Sequence, residues 1–242
     1  MHRFIFFILI SLSFLAKAQE NNFSKRTTTL SIGYPQLKTT KKVWVYLPKN
    51  YTLKNKKFPV IYILEGQNIF DINKTTNWNI DEMLTELHDN VILVGIENTV
   101  NDNLLDFITT VLKPKIDKQF KTKSDAYNTG IIGSSQNGLI AFKAVLNDQK
   151  TFGKAGVLSP TVAENDSIYD KILKEKKLKS KIFIFSSETE NAKIAKDIYK
   201  MEYALNTNRC YCLNLTKVFL SEELDSEKLW RQGFEKAYLW LM

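Results

Sequence analysis

The segment Thr129-Gly130-Ile131-Ile132-Gly133-Ser134-Ser135-Gln136-Asn137-Gly138 decides the fold of this chain. Its first half is a short apolar run typical of a buried strand, and the stretch from Leu139 to Leu146 that follows has the apolar spacing of a helix. Small residues fill the turn between them. The segment therefore predicts a strand, a tight turn and a helix in direct succession.

In this arrangement a serine can stand as a nucleophile on a strained turn, which requires small neighbours. Ser135 occupies the central position, with Gly133 two residues before it. Asn137 stands two residues after it, where the G-x-S-x-G pattern has a second glycine. Asparagine tolerates unusual backbone angles better than most residues, and Gly138 follows at once. An ordinary strand-to-helix turn is the alternative interpretation, but the position between an apolar strand and an apolar helix favours a nucleophile site.

Short apolar runs alternate with helical patterns along the rest of the chain. The predicted strands are Val43–Leu47, Val60–Leu64, Val91–Ile96, Thr129–Gly133, Ala155–Leu158, Lys181–Phe185 and Leu213–Phe219. The predicted helices are Ile80–Leu87, Leu104–Phe120, Leu139–Leu146, Ser167–Lys177, Ala192–Ala204 and Ser226–Leu241, with a kink at Pro114. Alternating strands and helices predict an α/β fold with a mostly parallel central sheet and helices on both faces.

The first eighteen residues have the pattern of a signal peptide. A short positive start precedes the apolar run Phe4–Leu15, and Ala16-Lys17-Ala18 has the small residues that a signal peptidase recognises. We expect cleavage after Ala18 and export to a periplasm or the cell exterior, with an uncleaved anchor as the alternative. The run is too short for a membrane span, and no second one follows, so we expect no span after processing. Residues 19–42 would then form an N-terminal segment and the first edge of the domain, and residues 43–242 a single domain.

Composition and charge exclude several classes of function. The 242 residues are 44% hydrophobic and 12% aromatic, which fits one globular domain, and the net charge of +8 comes from scattered lysines. We therefore expect no nucleic-acid partner. The chain lacks metal-ligand spacing, a phosphate-binding glycine loop and a dinucleotide fingerprint, so we expect no cofactor and no metal. Cys210 and Cys212 are interpreted as an ordinary packed pair, with a strained disulfide as the less favoured alternative.

Several blocks in a fixed order resemble the "Putative esterase" family of α/β hydrolases, which includes esterase D-like, enterochelin esterase-like and feruloyl esterase-like proteins. The resemblance runs from about Val43 to the C-terminus and predicts the α/β-hydrolase fold. The blocks that carry it are Val43–Pro48 with Tyr51, Phe58–Asp71 (similar to "PVLY..DGQN.FD", with Glu65 where aspartate is common), Ile131–Leu139 (similar to "I.GSSMGGL"), Phe152–Pro160, and Trp230 with Phe234–Leu241.

The resemblance implies roles for particular residues. Ser135 takes the position of the nucleophile, and the backbone N–H of Gln136 takes half of the oxyanion hole. The other half would come from the loop after the second predicted strand, near Gly66 and Gln67. Glu190 matches the acid that orients the catalytic histidine, with Glu188 as the fallback if the register slips.

The histidine itself is missing from its position. Five residues before the closing Trp230, where the family has histidine, this chain has Asp225. The only histidines are His2, in the predicted signal peptide, and His88, interpreted as a polar helix-end residue. Aspartate titrates near pH 3.9 and is a far weaker base than histidine. The segment Glu97–Asn103 also lacks the arginine that the family carries in a substrate loop.

Two functions follow from the retained and the missing parts. The first is an exported serine carboxyl-ester hydrolase with weak or lost activity, in which Ser135, Glu190 and Asp225 form the catalytic set. The second is a non-catalytic pseudo-esterase that binds a small molecule, glycan or peptide in the retained cleft. A small-molecule ester or a glycan-like ligand is the expected partner, and kinship of fold does not identify the compound.

Overall fold

A single sheet of eight strands organises the part of the chain that this computed structural model describes, which is residues 26–70, 84, 90–98, 101, 103–163, 167–174, 178–207, 213–222, 224 and 226–242. The strands are β1 (Thr27–Tyr34), β2 (Thr39–Tyr46), β3 (Val60–Leu64), β4 (Ile92–Ile96), β5 (Thr129–Ser134), β6 (Lys154–Leu158), β7 (Lys181–Ser187) and β8 (Asn214–Leu220). Their order across the sheet is β1-β2-β4-β3-β5-β6-β7-β8.

The sheet is mostly parallel, which confirms the predicted fold class. The strands from β4 across to β8 are parallel, whereas β2 pairs with β4, and β1 with β2, in the antiparallel direction. Every residue of β3, β4, β5 and β6 is buried. Strands buried on both faces are expected to be continuously apolar, which is why the sequence located these four within one or two residues.

The helices lie on the two faces of this sheet. They are α1 (Gln67–Phe70), α2 (Leu104–Phe107), α3 (Lys113–Gln119), α4 (Ser135–Asn147), α5 (Ile168–Lys174), α6 (Ala192–Thr207) and α7 (Ser226–Leu241). Short 3-10 turns cover Pro35–Leu37, Lys49–Thr52 and Ala126–Asn128. Within the described ranges, no helix is both long enough and apolar enough to cross a membrane.

The predicted helix Leu104–Phe120 is interrupted, because a π-helical turn at Ile108–Leu112 joins α2 to α3. The interruption lies just before Pro114, whose missing N–H and bulky ring disturb the preceding turn of a helix. Two threonines in that turn bond back to main-chain carbonyls: Thr110 Oγ1 donates to Asp106 O at 2.7 Å, and Thr109 Oγ1 to Leu105 O at 3.0 Å. The break expected at the proline is therefore taken up by a wider helical turn.

A hydrophobic cluster packs on each face of the sheet. The larger cluster includes Val145 of α4, Leu112 of the π-helical turn and Met201 of α6. The smaller cluster includes Trp44, Leu229, Phe234 and Leu241, so α7 covers that face. Because both clusters rest on the same strands, the C-terminal ends of those strands are held in a fixed arrangement, and the candidate site lies there.

Several predictions fall outside the described residues and stay predictions. These are the signal peptide at 1–18, most of the helix Ile80–Leu87 (of which Leu84 is described as helical and buried), and the residues His88, Cys210, Cys212 and Asp225.

Candidate active site

Ser135 lies at the sharp turn between β5 and α4. Its φ of 52° is in the left-handed region, which a non-glycine residue adopts only when its surroundings enforce it. The turn depends on Gly133, because a Cβ added there would lie 2.3 Å from the backbone oxygen of Asn137. The predicted strand, turn and helix thus produce a strained serine at the carboxyl edge of a parallel sheet, where ligands bind in open α/β folds.

The Ser135 side chain is half-buried and contacts a second hydroxyl. Its Oγ lies 3.2 Å from Thr161 Oγ1, and either atom can be the donor. The Thr161 backbone N–H donates to the Ser135 carbonyl, also at 3.2 Å, so the loop after β6 braces the turn from two directions. A hydroxyl can orient or relay a proton, but it is not a base that takes one near neutral pH.

The loop after β3 is tied to the same turn through a serine-carboxylate pair. Ser134 is almost fully buried, and its Oγ donates to Glu65 Oε2 at 2.5 Å. Glu65 is itself left-handed, with φ 68°. Gly66 follows so close to β4 that a Cβ added there would lie 2.5 Å from the Cα of Gly95. The glutamate that replaces the family's aspartate therefore still joins this loop to the serine turn.

Two of the three residues expected to form the oxyanion hole remain suitable donors. The Gly66 N–H donates to the Ile96 carbonyl at 2.8 Å, so this amide is already engaged. Gln67 and Gln136 lie in the first turns of α1 and α4, and the first amides of a helix have no acceptor inside it. The side chain of Gln67 is held in place because Asn98 N donates to its Oε1 at 2.9 Å.

Glu190 points into the protein, toward the loop after β6. Its Oε2 accepts hydrogen bonds from Ser159 Oγ at 2.5 Å and from Ser186 Oγ at 3.0 Å. Ser159 is completely buried and left-handed, with φ 43°. Glu188, the fallback acid, is exposed instead. The geometry therefore favours Glu190 over Glu188 as the acid of the site, although the groups that bond it are serine hydroxyls.

Asn137 fills the position where the family pattern has glycine. It is buried, and its Nδ2 donates to Asn98 Oδ1 at 3.2 Å. Its own Oδ1 has no hydrogen-bond partner in the described part of the chain. Hydrogen bonds thus connect the serine turn to the loop after β4, through Asn137 and Asn98, and that loop to α1 after β3, through Asn98 and Gln67.

The structure brings Ser135, Gln136, Gln67 and Gly66 to one edge of the sheet, and Glu190 to the adjoining loop after β7. Asp225 lies outside the described residues, although its neighbours Leu224 and Ser226 are described. Among the described residues no group of three or more metal-ligating side chains occurs.

The sequence did not single out Thr161, Ser159, Ser186 or Asn98. Each lies at or just after the carboxyl end of a strand, which is the signal that could have identified them.

A family model described as "Putative esterase" matches residues 35–209. An uncharacterized protein of Bacillus subtilis (strain 168), YbbA, is 27% identical over 140 residues. The match covers 48% of this chain and 54% of YbbA, so the chain spans about half the length of the curated relative it matches.

Solved structures share the fold at low identity. The IroE-like serine hydrolase from Shewanella oneidensis has a TM-score of 0.70 and 18% identity, over 87% of this chain and 78% of that one. The enterobactin esterase FES from Shigella flexneri has a TM-score of 0.73 and 16% identity, over 89% of this chain and 59% of that one. These structures support the α/β-hydrolase-like arrangement predicted from the sequence. Because the family model covers well over half of its length, the chain belongs to the Putative esterase family.

Proposed function

We propose that this esterase-family chain is a carboxyl-ester hydrolase of weak activity, with Ser135 as its nucleophile. The observation that carries the proposal is the left-handed φ of 52° at Ser135, between a buried strand and a helix. Such strain persists only where surrounding structure enforces it, and it is concentrated at functional sites. The turn leaves the serine hydroxyl half-buried rather than enclosed, so a small-molecule ester or a glycan-like ester could reach it.

The stabilisation of charge would come from main-chain amides. We assign the oxyanion hole to the N–H groups of Gln136 and Gln67, since both lie in first turns of helices and the Gly66 amide is engaged. Removing one such donor costs an enzyme about 100- to 1,000-fold in rate, so a retained oxyanion hole has a large effect.

The activation of Ser135 is the weak part of the site. Its described polar side-chain contact is the Thr161 hydroxyl, and Glu190 is bonded by Ser159 and Ser186. Asp225 stands where the family has histidine, and we propose it as a poor substitute base. A hydrolase that lacks its histidine keeps a rate roughly 10³–10⁴-fold above that of water, which comes from the oxyanion hole and binding alone. We therefore expect hydrolysis that depends on Ser135 and is slow.

The test is hydrolysis of p-nitrophenyl acetate and butyrate by the parent chain, by Ser135→Ala and by Asp225→His. A fluorophosphonate, which forms a covalent bond with an activated serine, gives an independent readout by intact mass. Ser31→Ala is the matched control, because Ser31 lies exposed on β1, away from the site. We expect slow hydrolysis and labelling in the parent and in Ser31→Ala, loss of both in Ser135→Ala, and faster hydrolysis in Asp225→His.

A specific observation favours one alternative, a non-catalytic pseudo-esterase that binds a small molecule, glycan or peptide in the same cleft. The hydroxyl-hydroxyl contact between Ser135 and Thr161 holds the serine without activating it. Absence of labelling and of hydrolysis in both the parent and Asp225→His would refute the hydrolase proposal and leave this alternative. Equal hydrolysis by the parent and Ser135→Ala would also refute the assignment of the nucleophile.

We propose further that the protein is exported, on the basis of residues 1–18. N-terminal sequencing of the protein from fractionated cells should give Gln19 as the first residue. A chain that begins at Met1 in the cytoplasmic fraction would contradict export.

A further inference from the structure

A long groove lies between α5 and α6, on the side of the sheet away from α7. Its volume is about 930 Å³, which falls within the range of about 300–1,000 Å³ typical of small-molecule sites. Its lining includes the small residues Ala192, Ala195 and Ala204 and the carboxylate of Glu188, together with the larger side chains of Leu173, Tyr199 and Tyr203. These three larger residues are 48%, 51% and 72% exposed, so the surface is both apolar and open to solvent.

A smaller and charged pocket of about 390 Å³ continues from the groove. The two share Tyr169, Ala192, Lys196 and Lys200, and the smaller one also reaches Asp197 and Ala163. Ala163 is two residues from Thr161, which contacts Ser135, so the charged end of this surface faces the loop that braces the candidate active site. The whole surface therefore has an apolar tail and a polar head.

The head carries an excess of positive charge. Together the two pockets have three lysines, Lys193, Lys196 and Lys200, and two carboxylates, Asp197 and Glu188. The Lys193 ammonium is neutralised by Asp197 at 2.7 Å, and Asp197 also accepts from Tyr169 OH at 3.0 Å. Lys196 and Lys200 have no acidic partner within 4 Å in the described part of the chain, and the Lys200 Nζ lies 5.5 Å from the centre of the Tyr169 ring. One anionic group placed between Lys196 and Lys200 would neutralise the excess positive charge at this end of the surface.

The residues that line the groove indicate which class of molecule carries that anion. Recognition of a sugar requires many hydrogen-bonding groups, whereas the tail of the groove offers mostly alanine, leucine and the faces of tyrosines. A second copy of the chain packed on α6 would bring lysines against lysines. Past Tyr203 the surface continues into a recess of about 360 Å³, lined by Glu202, Asn206 and Thr207 as well as Tyr199 and Tyr203, so an extended chain has room for its end. Charge and shape together fit an amphiphile with a single negative head and one unbranched apolar tail.

We propose that this surface, formed by α5 and α6, binds the anion of a single-chain fatty acid. The carboxylate lies between Lys196 and Lys200, and the alkyl chain runs from there along Tyr199 and Tyr203, beside Ala204. The site is separate from the Ser135 turn, and binding does not require that Ser135 be active.

The test is isothermal titration of the protein with dodecanoate, kept below the concentration at which it forms micelles. Two matched ligands separate the contributions: dodecanol has the same tail without the charge, and butyrate has the charge without the tail. We expect saturable binding of one dodecanoate, weaker binding of dodecanol and none of butyrate. Each buried methylene contributes to affinity, so decanoate should bind up to about tenfold more weakly than dodecanoate.

Variants with matched controls locate the site. Tyr203→Ser and Lys200→Gln should each weaken dodecanoate binding, the lysine change by about two- to fivefold as expected of an exposed ion pair. Tyr127→Ser and Lys150→Gln should leave affinity unchanged, because Tyr127 is 78% exposed and both residues lie away from α5 and α6. Ser135→Ala should bind dodecanoate as the parent does.

Four outcomes overturn the proposal. No saturable binding of dodecanoate refutes it outright. Equal affinity for dodecanol shows that the lysines do not recognise the head, and loss of binding in Ser135→Ala places the ligand at the serine turn. Binding only to vesicles of anionic phospholipid, with none to monomeric dodecanoate, would make the surface a membrane contact. Each result is read without measuring ester hydrolysis, so failure here is distinct from failure of the proposed enzymatic function.

Discussion

At the scale of single residues, the close approach at Gly133 is the strictest requirement of the serine turn. The nearest obstacle to a side chain there is the backbone oxygen of Asn137, which lies within a helix and cannot rotate away as a side chain would. Gly133→Ala should therefore lower the free energy of unfolding by about 3 kcal/mol, the upper part of the usual cost of overpacking. Urea denaturation followed by circular dichroism measures the change.

Gly33→Ala is the matched control, because a Cβ added at Gly33 on β1 meets nothing within 4 Å. We expect it to change the free energy of unfolding by no more than about 0.5 kcal/mol. Similar effects of the two substitutions would mean that the contact at Gly133 does not define the turn.

Lys154 is a second residue whose environment leads to a testable prediction. Burial, together with the charge of nearby Lys181, lowers the pKa of Lys154 below its usual value. The charged form is therefore disfavoured in the folded state. Between the folded pKa and the unfolded value of about 10.4, the unfolded chain binds more protons, so this residue makes the free energy of unfolding rise with pH.

We predict that Lys154→Met raises the free energy of unfolding at pH 7 and that this advantage over the parent shrinks as the pH approaches 10.4. The difference between variant and parent is the quantity to measure, because the ionisation of tyrosines in the same range then cancels. Lys150→Met, at an exposed position, should show no such pH-dependent difference. A constant advantage at all pH values would contradict the lowered pKa.

At the scale of elements, the sequence predicted the apolar, buried strands and missed the polar strand at the edge of the sheet. β1 was not predicted as a strand, because Thr27–Tyr34 is polar on its exposed side and lies at the rim of the sheet, where little of it is buried. The helix expected at Leu139 begins at Ser135, since the strained turn places the polar Ser135-Gln136-Asn137 inside its first turn. Hydrophobic periodicity detects the buried face of a helix, so it cannot detect a first helical turn made of polar residues.

An ion pair stabilises α3, the helix that precedes β5 along the chain. The Lys113 Nζ on α3 donates to Asp117 Oδ2 at 2.7 Å and to the Ser124 carbonyl at 3.0 Å. The other carboxylate oxygen of Asp117 accepts from Thr122 Oγ1 at 2.7 Å. Asp117→Ala would leave the buried ammonium without its counter-ion, so we predict a loss of about 3 kcal/mol in the free energy of unfolding, the lower end of the cost of breaking a buried ion pair.

The double variant Lys113→Met with Asp117→Ala separates a stranded charge from simple loss of packing. It should be more stable than Asp117→Ala alone, because no buried charge then remains unpaired. The Thr122 hydroxyl loses its acceptor in both variants, so its contribution cancels in the comparison. If the double variant were the less stable of the two, desolvation of Lys113 would not be the cause of the loss.

At the scale of the whole molecule, topology explains which parts of the site the sequence could predict. Ser135 and Glu190 were predicted as site residues by motif and by resemblance, because each stands in a recognisable local context. Their partners were not, since Ser134 and Glu65 are 69 positions apart in the chain and Ser159 and Glu190 are 31 apart. Only the order of strands in the sheet brings these loops to one edge, and a single sequence does not determine which hydroxyl there meets which carboxylate.

The same sheet couples the two hydrophobic clusters, and this coupling leads to the last prediction. Trp44 belongs to the smaller cluster and Trp230 and Trp240 pack against it, whereas Met201 is buried in the larger one on the other face. The fourth tryptophan, Trp78, lies outside the described residues. Met201→Ala should cost about 2–5 kcal/mol. If both faces unfold as one unit with the sheet, the substitution shifts the urea midpoint of tryptophan fluorescence as much as that of circular dichroism. Leu229→Ala tests the reverse direction, from the tryptophan face. A fluorescence midpoint that stays in place while the circular dichroism midpoint moves would show that the faces unfold separately, and the serine turn would then rest on the stability of one cluster alone.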